Sequence, residues 1–154
     1  MNSLNKADFF SSYFHALSEE HIEYVILHSY DKYPQEIHSD VDYCVKDENL
    51  KKTIAHLFDF CRKNGWRMIQ VLQHEVTAFF CVCVCCDNPE DYIQLDVCSH
   101  YIRRGKLMIK DQVLLTGRHK FPGGEFFVPD HKAELAYMLW KAAAKNKPLE
   151  SIRE

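Results

Sequence analysis

The chain has no long uncharged segment. Its longest stretch without Asp, Glu, Lys or Arg is 76–86, eleven of the 154 residues, whereas a membrane-spanning helix needs about 20 apolar residues. The N-terminal residues also lack a basic segment followed by an apolar run, the pattern of a signal peptide. We therefore expect a soluble, cytoplasmic protein that contacts no membrane.

Several motifs of common enzyme classes are also missing. The sequence contains neither G-x-x-x-x-G-K nor G-x-G-x-x-G, which speaks against a P-loop NTPase and a dinucleotide-binding fold. It has no G-x-S-x-G elbow for a nucleophilic serine. The nine histidines include no H-x-x-x-H pair, so we do not expect a zinc site.

The seven cysteines do not form a disulfide or zinc-binding pattern. Cys81, Cys83 and Cys85 alternate with valines, so on a strand they share one face as small apolar residues. Cys83 and Cys86 are a C-x-x-C pair, but no second pair follows at zinc-finger spacing. The pattern favours buried, reduced thiols over a metal or disulfide role.

Composition is that of a globular protein, but charge is distributed unevenly. The chain is 47% hydrophobic and 27% charged with a net charge of −3, which excludes a disordered chain and makes nucleic acid an unexpected partner. Residues 1–100 hold 8 basic and 16 acidic side chains, and residues 101–154 hold 11 and 6. This asymmetry fits two surfaces that differ only in solvation. It also fits an acidic site for cations that lies opposite a basic surface for an anionic ligand.

Periodicity predicts a mixture of helices and strands in one domain, residues 1–154. The predicted helices are 5–19, 48–64 and 130–145, the last with Leu135, Met138, Leu139 and Ala142 inward. The predicted strands are 24–27, 40–45, 66–72, 77–86, 92–99, 106–109 and 125–128. Residues 73–75 are predicted as a turn. Tight connections between strands favour an α+β fold, a short mixed sheet flanked by helices, over a parallel doubly wound sheet.

Candidate chemistry centres on three aspartates and a serine. Asp40 and Asp42 lie two apart on a predicted strand and so share a face, about 7 Å apart at the backbone. Asp96 lies on the polar face of another strand, and carboxylates so placed can hold Mg²⁺. Ser29 follows a strand, where free N–H groups can bind phosphate. Taken alone, the Asp40–Asp42 pair fits a solvated strand edge better and Ser29 fits a plain turn better, whereas Asp96 fits a surface residue or a turn cap equally well.

Together these residues resemble the nucleotidyltransferase family of the DNA polymerase β type. Its pattern is a strand, a Gly-Ser or Gly-Gly turn, about ten residues, Asp-x-Asp, and later a third acid. The matching segments are 25–29, 39–42 and 94–97, with His28 in place of the usual glycine. A bacterial subgroup of small nucleotidyltransferase-like proteins is also similar in its Pro34-containing loop, its 73–75 element and its Leu139-x-Lys141 helix.

The resemblance implies a polymerase β palm-like fold and transfer of a nucleoside monophosphate from an NTP, with ATP the default, to an unknown hydroxyl acceptor. It implies two Mg²⁺ ions, or Mn²⁺, about 3.5–4 Å apart between the carboxylates and the nucleotide. Asp40, Asp42 and Asp96 would be both catalytic and metal-binding. His28, Ser29 and Ser39 would bind the nucleotide.

Further residues are candidates for contacts with phosphate or acceptor. The basic ones are Arg103, Arg104 and Lys141, which fit a solvated basic face as well. His74 and Glu75 fit either acid–base contact with the acceptor or an ordinary polar turn.

Two other functional interpretations stay open at this point. Because His28 replaces glycine, the chain could be a catalytically inactive module that binds a nucleotide or a protein. It could also belong to a toxin–antitoxin-like pair with a helical partner, or form a homo-oligomer.

Overall fold

A computed structural model of the chain describes residues 3–146. The helices are α1 (Lys6–Glu19), α2 (Leu50–Lys63), α3 (Asp111–Leu115) and α4 (His131–Ala144), with a 3₁₀ turn at Asp47–Asn49. The strands of the main sheet are β1 (Tyr24–Ile26), β2 (Val41–Val45), β3 (Trp66–Glu75), β4 (Ala78–Cys85) and β5 (Tyr92–Cys98). Two small hairpins are formed by β6 (Tyr101–Arg103) with β7 (Lys106–Ile109), and by β8 (His119–Lys120) with β9 (Phe127–Val128).

The main sheet is mixed, with strand order β1-β2-β5-β4-β3. Strands β2 and β5 pair in parallel, and the other neighbours pair antiparallel. The expectation of an α+β protein with a mixed sheet flanked by helices is therefore confirmed. The arrangement brings β2 and β5 together at the centre of the sheet, although α2, β3 and β4 separate them along the chain.

Helix α1 begins at a side-chain cap. The Asn5 side chain accepts a hydrogen bond from the Asp8 backbone N–H, which satisfies one of the free donors at the helix start. The inward face of the helix carries its buried residues, Phe9, Phe10, Tyr13, Phe14 and Leu17. Helix α2 ends just before Gly65, whose φ of 73° is a conformation that glycine adopts without strain.

One face of the sheet packs against α1 and α2. Alternate residues of β2, β4 and β5 point into this core and are fully or almost fully buried: Val41, Tyr43, Val45, Cys81, Cys83, Cys85, Ile93, Leu95 and Val97. The cysteines of β4 therefore lie on the face that the alternation with valine predicted. Their thiols are free.

The opposite face carries a smaller apolar cluster and the candidate site. Val25, Leu27 and Cys44 pack there with Leu114 of α3 and Tyr137 of α4. This packing fixes α4 beside the carboxyl end of β1 and over one edge of the site. The polar side chains of β2 and β5 lie next to the cluster on the same face.

Some sequence predictions about the elements are wrong. On α4, Ala142 is buried and Met138 partly buried as expected, but Leu135 and Leu139 are 54% and 41% exposed, because the helix packs through Ala133 and Tyr137 instead. Residues 73–75 are not a turn, since β3 continues through Glu75 and the turn to β4 is formed by residues 76 and 77. The short elements α3, β6 and β8 were not predicted.

Among residues 3–146, no helix combines the length and the apolar character needed to cross a membrane.

Candidate functional site

The parallel pairing of β2 with β5 places two carboxylates side by side. Asp42 is the register partner of Asp96, so both side chains leave neighbouring strands on the same face. Asp40 immediately precedes β2 and extends the row. Each of the three residues offers an oxygen, and these oxygens lie within 4.8 Å of one another. The sequence had identified all three acids, and the structure brings them together.

These aspartates line a cavity of about 350 Å³, which we call the carboxylate cavity. Its acidic wall also includes Glu75. Its basic and imidazole side chains are His28, His74, His100, Arg103, Lys141 and Lys145. Acidic and basic groups therefore line the same small cavity. This agrees with one of the two interpretations of the uneven charge distribution, an acidic site next to basic side chains.

Asp42 is held in place by contacts with two side chains, Lys141 and His28. Its Oδ2 accepts a 2.8 Å hydrogen bond from Lys141 Nζ and contacts His28 Nε2, and only 14% of its side chain is exposed. Burial alone would raise the pKa of Asp42. The hydrogen bond with His28 and the positive charge of Lys141 outweigh burial and lower that pKa to about 2. Asp42 is therefore ionised at neutral pH.

The turn after β1 holds His28 and Ser29 in a defined arrangement. Ser29 has a φ of 58°, so the left-handed position of this turn falls on the serine and not on His28. His28 Nδ1 lies 2.7 Å from the Ser29 hydroxyl. If Nδ1 accepts a hydrogen bond from the hydroxyl, the ring proton is on Nε2, and the Nε2–H group then donates a hydrogen bond to Asp42. Lys141 Nζ lies 2.6 Å from the same Nε2, which makes a compact group of three side chains.

Asp96 has a different electrostatic environment from Asp42. Its Oδ1 lies 2.8 Å from His74 Nε2. Burial raises the pKa of Asp96 above its ordinary value, the hydrogen bond with His74 opposes that rise, and the negative charge of Asp42 adds to it. Two neighbouring carboxylates with opposite pKa shifts are typical of sites that bind cations or move protons.

The three carboxylates fit the ligand set of a hard divalent cation. Mg²⁺ binds carboxylate oxygens and retains waters or substrate oxygens in its other positions. The oxygens of Asp40, Asp42 and Asp96 converge on one point in an accessible cavity. The group can therefore hold a metal ion.

The other predicted site residues divide into two sets. Arg103, Lys141, His74 and Glu75 line the carboxylate cavity together with His28. Three others do not: Ser29, Ser39 and Arg104 are exposed. Ser39 lies on the loop before Asp40, where its hydroxyl donates a hydrogen bond of 3.4 Å to the Asp40 carbonyl. Arg104 lies at the turn of the β6–β7 hairpin with a φ of 51°.

Several cavity residues were not identified from the sequence. Tyr101 and Tyr137 form an edge-to-face pair with ring centroids 5.1 Å apart. Cys98 lies two residues after Asp96 on the same strand, so period-two alternation could have assigned it to this face. His100 accepts a 3.1 Å hydrogen bond from the Asp111 backbone, which no local pattern indicates.

A second cavity, of about 540 Å³, adjoins the first at His28. We call it the aromatic cavity, because Tyr30 and Phe121 contribute to its wall with Leu135 and Met138. Glu134 accepts a hydrogen bond from the Tyr30 hydroxyl at its edge. The two cavities share His28, and Ser29 also lines the second.

No protein-family model, no curated protein and no solved structure matches this chain.

Proposed function

We propose that the protein is a Mg²⁺-dependent nucleotidyltransferase of the polymerase β-like type, which moves a nucleoside monophosphate from an NTP to a hydroxyl acceptor and releases pyrophosphate. The observation that carries the proposal is the convergence of Asp40, Asp42 and Asp96 within 4.8 Å in an accessible cavity. Three carboxylates so close repel one another, and a bound cation offsets that repulsion.

The charges around the carboxylates support an anionic substrate. Lys141 on α4 and Arg103 on β6 line the same cavity as the aspartates. Arginine binds phosphate oxygens in a fork and lysine acts as a point charge. These two side chains would bind a polyphosphate directly, and the carboxylates would bind it through a metal ion.

Residues of the turn after β1 are candidates for contact with phosphate, and Asp96 of β5 is the candidate proton acceptor. The Ser29 hydroxyl and the His28 ring lie where the two cavities meet, and both can contact phosphate oxygens. Asp96, whose pKa is raised, is positioned to accept the proton of an acceptor hydroxyl in the carboxylate cavity. Bound Mg²⁺ would supply charge stabilisation for the transferred phosphoryl group.

The two neighbouring cavities suggest where each part of the nucleotide binds. The aromatic cavity offers ring and apolar surfaces from Phe121, Leu135 and Met138, which suit a base and its sugar. The carboxylate cavity offers charged groups, which suit phosphates and the acceptor. In this arrangement the α-phosphate lies near His28.

Calorimetric titration with Mg²⁺ and ATP tests the proposal. We expect wild type to bind ATP only with Mg²⁺ or Mn²⁺, and Asp42→Asn to weaken that binding at least about tenfold, because one charged ligand is lost. Asp59→Asn, on the exposed surface of α2, is the matched control and should bind as wild type does. Absence of Mg²⁺-dependent NTP binding by wild type, with ATP, GTP, CTP and UTP each tried, would overturn the proposal. So would equal affinity of Asp42→Asn and wild type.

One observation favours a second candidate, a nucleotide- or protein-binding module without activity. Lys141 and His28 both contact Oδ2 of Asp42, one of the two oxygens that this carboxylate can offer to a metal ion. If that arrangement persists with nucleotide, the protein binds NTP equally well with and without Mg²⁺. The same titration carried out in EDTA separates the two candidates.

A further inference from the structure

A pair of thiols lies on the strands that carry the aspartates. Cys44 is the register partner of Cys98 in the parallel β2–β5 ladder, two residues beyond the Asp42–Asp96 pair. Registered residues share a face, and neighbouring strands are about 4.8 Å apart. That spacing lies within the Cα separations of about 4.4–6.8 Å that a disulfide can span.

The two thiols are close enough to interact. Cys98 packs against the apolar cluster that contains Cys44. The Cys44 thiol lies 3.1 Å from the carbonyl oxygen of Ser99, the residue after Cys98. The strand spacing is therefore compatible with a bond between the two sulfurs.

The two thiols differ in accessibility. Cys98 is partly exposed and lines the carboxylate cavity, whereas Cys44, beside it on the neighbouring strand, is fully buried. A small oxidant entering the cavity therefore reaches Cys98 before Cys44. An accessible thiol next to a second thiol is the usual arrangement of a site of reversible oxidation.

We propose that Cys44 and Cys98 are a modification site, at which a hydroperoxide forms a reversible disulfide between β2 and β5. The Cys98 sulfur attacks the terminal peroxide oxygen, the O–O bond breaks, and the alcohol or water leaves with the proton. The resulting sulfenic acid is attacked by the Cys44 sulfur, so that the S–S bond forms, the S–O bond breaks and water leaves. Two thiols and one hydroperoxide thus give one disulfide, one alcohol (or water) and one water.

The chain contains a matched internal control. Cys61 on α2 raises the pKa of the Cys83 thiol on β4, so these two side chains are also neighbours, but both are fully buried in the core between the sheet and α1–α2. Proximity alone predicts oxidation of both pairs. Proximity combined with access from the cavity predicts oxidation of the Cys44–Cys98 pair alone.

The experiment treats the full chain, carrying Cys86→Ser to remove the exposed thiol, with an equimolar amount of hydrogen peroxide. We expect the intact mass to fall by two hydrogen atoms and a non-reducing peptide map to show Cys44 linked to Cys98. Dithiothreitol should reverse both changes. Cys98→Ser should abolish the mass loss, and Cys83→Ser should retain it.

Three results would overturn the proposal. One is oxidation of Cys98 to a sulfinic acid, or its trapping by dimedone, with no loss of two hydrogens. The second is a Cys61–Cys83 link in place of the expected one. The third is unchanged mass loss in Cys98→Ser. Because each readout is a mass, none depends on the protein having nucleotidyltransferase activity.

Discussion

The two faces of strands β2 and β5 are stabilised in different ways. On one face Tyr43 and Val97 are fully buried against α1 and α2, and apolar area removed from water supplies the stability. On the other face Asp42 and Asp96 lie side by side, where their repulsion is offset only by individual contacts with His28, Lys141 and His74. Consecutive residues on a strand point to opposite faces, so one residue can stabilise the core while the next one contributes to the candidate site.

The core face should give the largest effect on stability. Tyr43 is fully buried, packs edge-on against Phe14, and its hydroxyl lies 2.8 Å from that of Tyr13. We expect Tyr43→Ala to lower the free energy of unfolding by about 3–5 kcal/mol, because it leaves a large cavity. Urea denaturation followed by far-UV circular dichroism measures the change. Tyr43→Phe is the matched control, and should cost only about 1–3 kcal/mol by leaving the Tyr13 hydroxyl unpaired. Equal losses in the two variants would contradict a packing origin.

The carboxylate face should give a smaller effect that depends on pH. The pKa of Asp42 is lowered from 3.8 to about 2, so its contacts stabilise the folded state above pH about 4, and this contribution disappears as the pH falls through about 2. The shift corresponds to about 2 kcal/mol at neutral pH. We expect Asp42→Asn to lose that amount at pH 7 and almost nothing near pH 2, in urea denaturation at a series of pH values.

The same series needs a control for the general effect of acid on the fold. Asp59→Asn, on the exposed surface of α2, should track wild type at every pH. A loss in Asp42→Asn that is the same at pH 7 and pH 2.5 would show that the ion pair with Lys141 is not its source.

Asp96 should give the smallest effect, and with the opposite sign. Its pKa is raised, so the ionised carboxylate destabilises the fold above that pKa, and the penalty is relieved as the pH falls through the raised pKa and is gone below the ordinary value of 3.8. We expect Asp96→Asn to raise the free energy of unfolding at pH 7 by roughly 0.2–1 kcal/mol, the size of a like-charged cross-strand pair. Thermal denaturation without divalent cations measures it. Destabilisation would show that the contact with His74 outweighs the repulsion.

The comparison also shows which parts of the molecule the sequence could predict. Alternation along β5 correctly put Asp96 on the face opposite Leu95 and Val97, because side-chain direction follows from local strand geometry. The juxtaposition of Asp96 with Asp42 depends on strand order, which is a long-range property. The resemblance to polymerase β-type proteins supplied that expectation, and periodicity could not.

The errors on α4 have a related cause. Leu135 and Leu139 have helical spacing, which usually indicates the buried face. The helix instead packs through the Tyr137 ring, which lies in the smaller apolar cluster with Val25 of β1. With the helix rotated in this way about its axis, Lys141 contacts Asp42. Apolar spacing alone does not determine how a helix is rotated about its axis, so neither the exposed leucines nor the lysine contact could be derived from it.

The parallel pairing of β2 with β5 has a consequence for how the site forms. Helix α2 and the β3–β4 hairpin lie between these strands in the chain, and β4 pairs with β5 on its far side. Closing so long a connection has a large entropic cost, which makes such contacts slow to form. The three aspartates can therefore meet only when β5 has paired with β2. The cation affinity that we propose for them should consequently appear late in refolding and be absent from any fragment that ends before β5.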